Sequence, residues 1–103
     1  VCWEIIFLDT PNIIHWSDLG RVSWYEFAVE IGEISLKLGL IKRKSEVLPI
    51  KSKNLQRKAL RPNYSLLNCE ETHKFIKYKA KDWKFELRKV VEYMLKNNFK
   101  FYY

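Results

Sequence analysis

The side chains best suited to chemistry in this sequence lie at the end of a basic stretch. Residues 42–61 include eight lysines and arginines but a single acid, Glu46. Arg61 ends the stretch, and Pro62 restricts the backbone directly after it. A guanidinium group can hold a phosphate through two parallel hydrogen bonds, a geometry that a lysine does not offer. Arg61 is therefore predicted to bind a phosphate, with an ordinary solvent-facing arginine as the alternative interpretation.

The sequence lacks the motifs that bind nucleotide cofactors or catalyse reduction. Its three glycines are too far apart to form G-x-G, so there is neither a dinucleotide fingerprint nor a P-loop. No tyrosine is followed four residues later by a lysine, a pair that serves as proton donor in many reductases. We therefore predict no catalytic residue and no cofactor-binding residue in this chain.

The histidines and cysteines do not indicate a metal or redox site. His15 and His73 lie far apart in sequence, and Cys2 and Cys69 lack the spacing of a zinc or dithiol motif. A histidine without a partner is more often structural than catalytic. The sequence predicts no metal site and two free thiols in a reducing compartment.

Length and composition limit the class of protein. The chain has 103 residues, a net charge of +7 and 48% hydrophobic residues. This length predicts one domain, and the balance of apolar and charged residues argues against a disordered chain. The longest apolar run, residues 5–8, is far too short to span a membrane, and no positively charged leader opens the sequence. We expect a cytoplasmic protein without a membrane partner.

Three helices are predicted to frame these residues. Ser23 and Glu26 form a capping box, and the apolar period that follows predicts a helix over about residues 24–38. Asn68 caps a short helix that extends to residue 76, and Asp82 opens a last helix to about residue 96. Four aromatic side chains fall on the apolar faces of these helices and are predicted to lie in the core: Trp24, Phe27, Phe75 and Trp83.

The remaining segments predict little sheet. Residues 3–8 fit either a strand or the end of a helix, and residues 13–16 fit a short strand. Residues 46–50 contain a proline, which allows only an edge strand or an extended segment, and residues 51–61 form a loop. The whole pattern predicts an α/β lobe that needs a larger neighbour to pack on.

Three motifs in order give the sequence a resemblance to a known family. Residues 20–28 have the pattern G-x-x-S-W-Y-x-F-A, and residues 61–67 have the pattern R-P-x-x-S-x-L. Trp83 and Leu87 complete a W-x-x-x-L motif. Together they resemble the C-terminal substrate-binding part of dTDP-4-dehydrorhamnose reductase, an extended short-chain dehydrogenase. The resemblance covers nearly the whole chain.

This resemblance implies a fold and an activity. The implied fold class is α/β, a small C-terminal substrate-binding lobe of about three helices with short strands, without the Rossmann half. The family uses NADPH to reduce dTDP-6-deoxy-L-lyxo-4-hexulose to dTDP-L-rhamnose for polysaccharide or O-antigen synthesis. The glycine-rich turn and the Tyr-x-x-x-Lys pair belong to the Rossmann half, and this chain begins with Val1. The resemblance thus implies a C-terminal piece, inactive alone, whose partner is a Rossmann half or another subunit.

The resemblance also implies roles for individual residues. Arg61, with Asn63 and Ser65 beside it, would bind the dTDP-sugar, and Arg61 would approach its diphosphate. A second group of residues would fix the fold around the substrate cleft. This group comprises Gly20, Ser23, Trp24, Tyr25, Phe27, Pro62 and Trp83.

The expected lobe spans residues 1–103, with uneven likeness to the family. Residues 1–12 match only loosely, and the aromatic tail at 97–103 matches nothing. Residues 51–60 lack the proline-containing stretch that the family carries before its R-P pair. The resemblance therefore gives weaker grounds for expecting substrate contact from residues 51–60 than from Arg61.

Two other functions fit parts of the sequence. The fold also resembles that of the regulatory beta subunit of methionine adenosyltransferase, so a non-catalytic regulator is one alternative. The basic stretch and the 16% of aromatic residues also fit a small nucleic-acid-binding domain. Because the aromatic side chains are assigned mainly to the core, no nucleic-acid partner is expected.

Overall fold

The regular structure of this chain is helical. The computed structural model describes residues 1–55, 59 and 61–97. Within these residues the α-helices are α1 (Cys2–Ile5), α2 (Trp24–Lys37), α3 (Glu70–Phe75) and α4 (Trp83–Lys96). A short 3₁₀ helix at Ser52–Asn54 lies within the predicted loop. Residues 56–58, 60 and 98–103, which include most of the loop's second half and of the predicted aromatic tail, lie outside the described residues.

Helix α2 begins and ends where its local signals predict. The Ser23 Oγ accepts a hydrogen bond from the backbone N–H of Glu26 at 3.2 Å, and the Ser23 N–H donates to Glu26 Oε2 at 2.8 Å. This reciprocal pair is a complete capping box. After the last turn, Gly39 has a φ of +79°, the left-handed conformation that a glycine adopts readily. The predicted helix over 24–38 is confirmed to within one residue.

The other two predicted helices are also confirmed. The N-cap of α3 is Cys69, one residue after the predicted Asn68, and the backbone N–H of Glu70 donates to Asn68 Oδ1 at 3.0 Å. The backbone N–H of Lys84 donates to Asp82 Oδ1 at 2.9 Å, so Asp82 is the N-cap of α4. For residues 3–8, the helical alternative is partly realised by α1.

The strand predictions agree less well with the structure than the helix predictions do. The part of the chain that the structure describes contains no β-strand, and its sole β-pairing is an isolated parallel bridge between Leu19 and Asp82. The predicted strand at 13–16 is wrong, since the His15 N–H donates to the side chain of Thr72 at 3.2 Å instead of joining a ladder. Residues 46–50 form no strand with any described residue. The α/β class as a whole stays a prediction.

Helices α2 and α4 meet at what we call the α2–α4 junction, formed by Leu19, Gly20, Phe27, Asp82 and Trp83. The Leu19 N–H donates to the Lys81 carbonyl at 2.8 Å, and the Trp83 N–H donates to the Leu19 carbonyl at 3.0 Å. The Phe27 and Trp83 rings pack 5.6 Å apart between centroids. Residues more than 50 positions apart are thereby joined through both backbone and side chains.

The core of the described residues is small. Its buried side chains are Cys69, Ile76, Ala80 and Val91, with Ser35 and Thr72 as buried polar groups. No large side chain in the described part of the chain is fully buried. The radius of gyration is 17.3 Å, whereas a compact domain of about 100 residues has a value near ~13 Å. The chain alone therefore covers little of its apolar surface.

Two of the aromatic residues predicted to lie in the core do not. Trp24 is 81% exposed and Phe75 is 39% exposed, whereas Phe27 and Trp83 are half-buried. Periodicity placed Trp24 on the apolar face of α2, but its aromatic neighbour there is Phe27, with ring centroids 6.4 Å apart. One edge-on contact leaves most of the indole uncovered, so the prediction of a buried Trp24 is wrong.

Candidate functional site

The predicted phosphate-binding residues lie in residues 61–68, a segment without regular secondary structure that precedes α3. Arg61, Asn63 and Ser65 are all exposed, and none of their side chains makes a hydrogen bond or ion pair with another described residue. The structure therefore presents the three side chains to solvent without joining them to one another. Such a guanidinium remains available for an anionic ligand.

Among the described residues, hydrogen bonds hold the 61–68 segment at its α3 end. Asn68 holds the start of α3, and the Cys69 thiol donates to the Leu67 carbonyl at 3.8 Å. The same thiol lies 3.5 Å from the Ser17 hydroxyl, which connects the segment to the chain before α2. Pro62 and Arg61 lie at the opposite end of the segment. The hydrogen bonds of Asn68 and Cys69 therefore fix the α3 end of the segment.

Gly20 holds its place at the α2–α4 junction for a steric reason. Its φ is +105°, where side chains rarely fit. A Cβ at this position would lie 2.6 Å from Trp83 Cδ1 and 3.4 Å from Asp82 Oδ2. Glycine is needed because the edge of the indole fills the space that a side chain would occupy. Gly20 and Trp83, from two different motifs, thus form one contact.

A cleft of about 310 Å³ lies beside this junction, between α2 and the start of α4. Tyr25 and Trp83 supply its aromatic surface, and charged side chains from both helices reach it. The lining residues are Arg21, Val22, Tyr25, Glu26, Val29, Glu30, Trp83 and Lys84.

Ion pairing and capping hold the carboxylates of this cleft in place. Lys84 Nζ lies 3.0 Å from Glu30 Oε2 and 5.5 Å from the centre of the Trp83 ring. Glu26 Oε2 accepts hydrogen bonds from the backbone N–H and the hydroxyl of Ser23, both at 2.8 Å. These bonds lower the pKa of Glu26, the backbone bond most, and the charge of Lys84 adds to the effect. Glu26 therefore stays ionised at neutral pH.

A second cleft, of about 380 Å³, lies where residues 11–15 meet α3. His15 and Thr72 are joined there by the backbone-to-side-chain hydrogen bond described above. The acids Glu70 and Glu71 and the base Lys74 also line it. Asn68, the last residue of the 61–68 segment, also lines it. The hydrogen bond between His15 and Thr72 in this cleft attaches the chain before α2 to α3.

Comparison with known proteins gives one match. A family model described as the RmlD substrate binding domain matches residues 6–96, which is most of the chain. The chain belongs to this family. It is a family of sugar-nucleotide reductase-like oxidoreductases related to the dTDP-rhamnose pathway and generally dependent on NADPH. No curated protein and no solved structure matches the chain. This match confirms the RmlD-like substrate-binding domain family predicted from the motifs, while dTDP-4-dehydrorhamnose reductase as the specific enzyme and the C-terminal piece stay predictions.

The described residues of this RmlD substrate binding domain do not form a site that fits NADPH. A dinucleotide site needs a glycine-rich turn that brings backbone N–H groups against the pyrophosphate at a helix start. Gly20 precedes α2, but the Trp83 ring occupies the space next to it. Gly39, the other glycine with a positive φ, follows the end of α2.

Sequence patterns missed several residues of the α2–α4 cleft. No local pattern assigns a role to Arg21, Glu30 or Lys84, although each adjoins a recognised signal. Arg21 follows Gly20, Lys84 follows Trp83, and Glu30 lies one helical turn after Glu26. Their convergence depends on the α2–α4 junction, which no local pattern predicts.

In the described residues, no group of histidine, cysteine or acidic side chains is arranged to hold a metal ion, and no helix has the length and apolar character of a membrane span.

Proposed function

We propose that this chain is the nucleotide-sugar-binding lobe of a dTDP-4-dehydrorhamnose reductase. The complete enzyme would reduce dTDP-6-deoxy-L-lyxo-4-hexulose to dTDP-L-rhamnose with NADPH. The observation that carries the proposal is the RmlD substrate binding domain match over residues 6–96. In this proposal the chain binds and orients the substrate, while hydride and proton transfer belong to a Rossmann half.

Arg61 is the proposed ligand of the substrate diphosphate. Its exposure and its lack of an acidic partner among the described residues support this role, because an ion-paired arginine would have to give up its carboxylate first. Pro62 limits the backbone beside it. Asn63 and Ser65, on the same segment, can donate hydrogen bonds to phosphate or sugar oxygens. The basic composition of residues 42–61 adds a long-range attraction for a dianion.

The uncovered apolar surface supports the need for a second protein unit. Trp3, Phe7 and Trp24 are each about four-fifths exposed, at 80%, 83% and 81%. Large exposed apolar side chains in this number are typical of a surface that packs against another domain or subunit. A Rossmann half is the proposed occupant, supplied by the same polypeptide or by another.

Steady-state kinetics would test the proposal with the catalytic half joined to this chain. Arg61→Lys keeps the charge but removes the two-pronged geometry, so it should raise the KM for the dTDP-sugar about tenfold or more. The KM for NADPH should change less than about twofold, since the cofactor binds elsewhere. Arg43→Lys, an exposed arginine in the same basic stretch, is the matched control and should leave both constants unchanged.

Three results would contradict this assignment. Equal changes in both KM values would mean that Arg61 affects the fold and not the substrate. An unchanged KM for the dTDP-sugar would place Arg61 on the surface. Binding of dTDP-sugar without any turnover, in a complex that also binds NADPH, would favour the non-catalytic regulator.

A further inference from the structure

The chain between α3 and α4, residues 76–81, carries a lysine at every second position and is called the lysine segment below. Lys77, Lys79 and Lys81 are all exposed. None of the three forms an ion pair with another residue of the described part of the chain. The lysine segment therefore concentrates positive charge that these residues do not neutralise, and such a surface attracts anionic ligands.

The backbone of the lysine segment is held in place at both ends. The Lys77 N–H donates to the carboxylate of Glu4, and the Lys81 carbonyl accepts from the Leu19 N–H at 2.8 Å. The buried side chains of the segment are Ile76 and Ala80. Because the backbone is already ordered, a ligand has to immobilise the lysine side chains and not the chain itself, which lowers the entropy cost of binding.

The Phe85 ring on α4 brings two ammonium groups together. Lys81 Nζ lies 5.0 Å from the ring centre and Lys89 Nζ lies 4.8 Å from it. Lys89 is also paired with Glu86 at 3.3 Å, whereas Lys81 has no carboxylate partner among the described residues. Phe85 therefore joins the lysine segment to one face of α4.

Tyr93 lies on the same face of α4. Phe85, Lys89 and Tyr93 follow one another at four-residue steps, so their side chains are neighbours along the helix surface. Tyr93 is 63% exposed, and its ring has no aromatic or cationic partner in the described part of the chain. The ring can therefore stack on a flat group of a ligand.

A ligand for this surface needs repeated negative charges together with flat, accessible rings. A single-stranded nucleic acid supplies both, because its phosphates bind lysines and its unpaired bases stack on aromatic side chains. An acidic peptide or an anionic membrane supplies the charge without the bases. The expectation of no nucleic-acid partner depends on the aromatic side chains lying in the core, whereas Phe85 and Tyr93 are exposed.

From these observations we propose that the lysine segment and the adjoining face of α4 bind single-stranded nucleic acid. Lys77, Lys79 and Lys81 each contact a phosphate, Phe85 positions Lys81, and one base stacks on Tyr93. Phosphate contacts and stacking do not distinguish sequences, so the binding is independent of sequence. The surface includes none of the residues proposed to bind the dTDP-sugar, so the inference does not depend on the proposed function.

Fluorescence anisotropy of a labelled oligouridylate of about 12 nucleotides, titrated with the chain at several salt concentrations, tests the proposal. We expect a Kd of about 10–100 µM in about 50 mM NaCl. The slope of log Kd against log salt concentration should be about 2, the value for three phosphate contacts with a single strand.

Two triple variants separate this surface from net charge. Replacing the three lysines of the segment by glutamine should weaken binding at least about tenfold and reduce the salt slope below about 0.5. The matched control removes the same charge from exposed residues of the basic stretch and should change the Kd less than about threefold. The test substitutions are Lys77→Gln, Lys79→Gln and Lys81→Gln, and the control substitutions are Lys42→Gln, Arg43→Gln and Lys51→Gln.

A second pair of variants tests the stacking contact. Tyr93→Leu keeps an apolar side chain but removes the ring, so it should weaken binding about fivefold or more. Tyr64→Leu, at a similarly exposed tyrosine of the 61–68 segment, is the matched control and should leave the Kd unchanged. Circular dichroism checks that all variants keep their helix content.

Several outcomes would overturn the proposal. Equal weakening by the two triple variants would show that binding follows net charge and not this surface. An unchanged Kd in Tyr93→Leu, with equal binding of poly-L-glutamate, would assign the surface to an acidic protein segment. Binding to vesicles with about 30% phosphatidylserine, but not to the oligouridylate, would assign it to a membrane.

Arg61→Lys distinguishes this inference from the proposed function. It should leave oligouridylate binding unchanged, because Arg61 lies outside the lysine segment and the α4 face. If it weakens oligouridylate binding as much as the triple lysine variant does, the nucleic acid binds at the 61–68 segment and the inference is wrong. Loss of dTDP-sugar binding alone in Arg61→Lys would support the proposed function and leave the nucleic-acid surface intact.

Discussion

The α2–α4 junction and the 61–68 segment each contain a motif of the family, and the chain holds them in opposite ways. At the junction, Gly20 and Trp83 are in van der Waals contact and the Leu19 backbone bonds to both sides of Asp82. In the segment, Arg61 has no partner among the described residues. Motif residues whose groups are already satisfied within the chain stabilise the lobe. Motif residues left open are the ones available to a ligand.

Trp83→Ala should have the largest effect on stability. The indole contacts Phe27 and the backbone of Gly20, so its removal takes away the main side-chain contact between α2 and α4. Because Trp83 is half-buried, we expect a loss of about 3 kcal/mol, the lower end of the range for a large aromatic residue. Urea unfolding followed by far-ultraviolet circular dichroism measures it. A loss below about 1 kcal/mol would mean that the junction does not hold the helices together.

Gly20→Ala should cost about 2 kcal/mol, through backbone strain and the collision with Trp83. Gly39→Ala provides the matched control. It also places a side chain at a positive φ, of +79°, but no atom lies within 4 Å of the new Cβ. Its cost should be nearer to about 1 kcal/mol, from the backbone alone. Equal losses in the two variants would show that contact with Trp83 does not explain the glycine.

Ser23→Ala should lower the free energy of unfolding by about 1 kcal/mol. It removes the hydroxyl that accepts from the Glu26 N–H and donates to its carboxylate, so the first turn of α2 loses half of its capping box. Ser45→Ala, at an exposed serine outside the helices, should change stability by less than about 0.5 kcal/mol. If both variants unfold at the same urea concentration as the original chain, the cap makes no contribution to stability.

Sequence signals predicted what depends on neighbours in the chain. The starts of α2 and α4 follow from Ser23 and Asp82, because a cap is made with residues two or three positions away. The strand predicted at 13–16 is wrong because a strand needs a partner strand, which local sequence does not specify. The His15 N–H donates to the Thr72 side chain instead. The α2–α4 cleft also depends on residues far apart in the sequence, so no local signal predicted it.

Exposure also lies beyond what periodicity can predict. The 3.6-residue repeat places Trp24 on the same face as Phe27, and it does so correctly, since the two rings are in contact. Whether another element covers that face depends on where α4 begins. Trp83 reaches Phe27, and Trp24 stays exposed.

Trp24→Ala should have the smallest effect on the chain by itself. With 81% of the side chain exposed, its removal should change the free energy of unfolding by less than about 0.5 kcal/mol. A loss above about 1 kcal/mol would show that Trp24 is buried in solution.

Trp24→Ala should have a larger effect on association with the catalytic half, because an exposed tryptophan within a family motif is suited to be a central contact of an interface. We expect Trp24→Ala to weaken association with that half at least about tenfold, and Lys42→Ala, an exposed residue of the basic stretch, to leave it unchanged. If Trp24→Ala changes neither stability nor association, the tryptophan of this motif stabilises neither the lobe nor its interface.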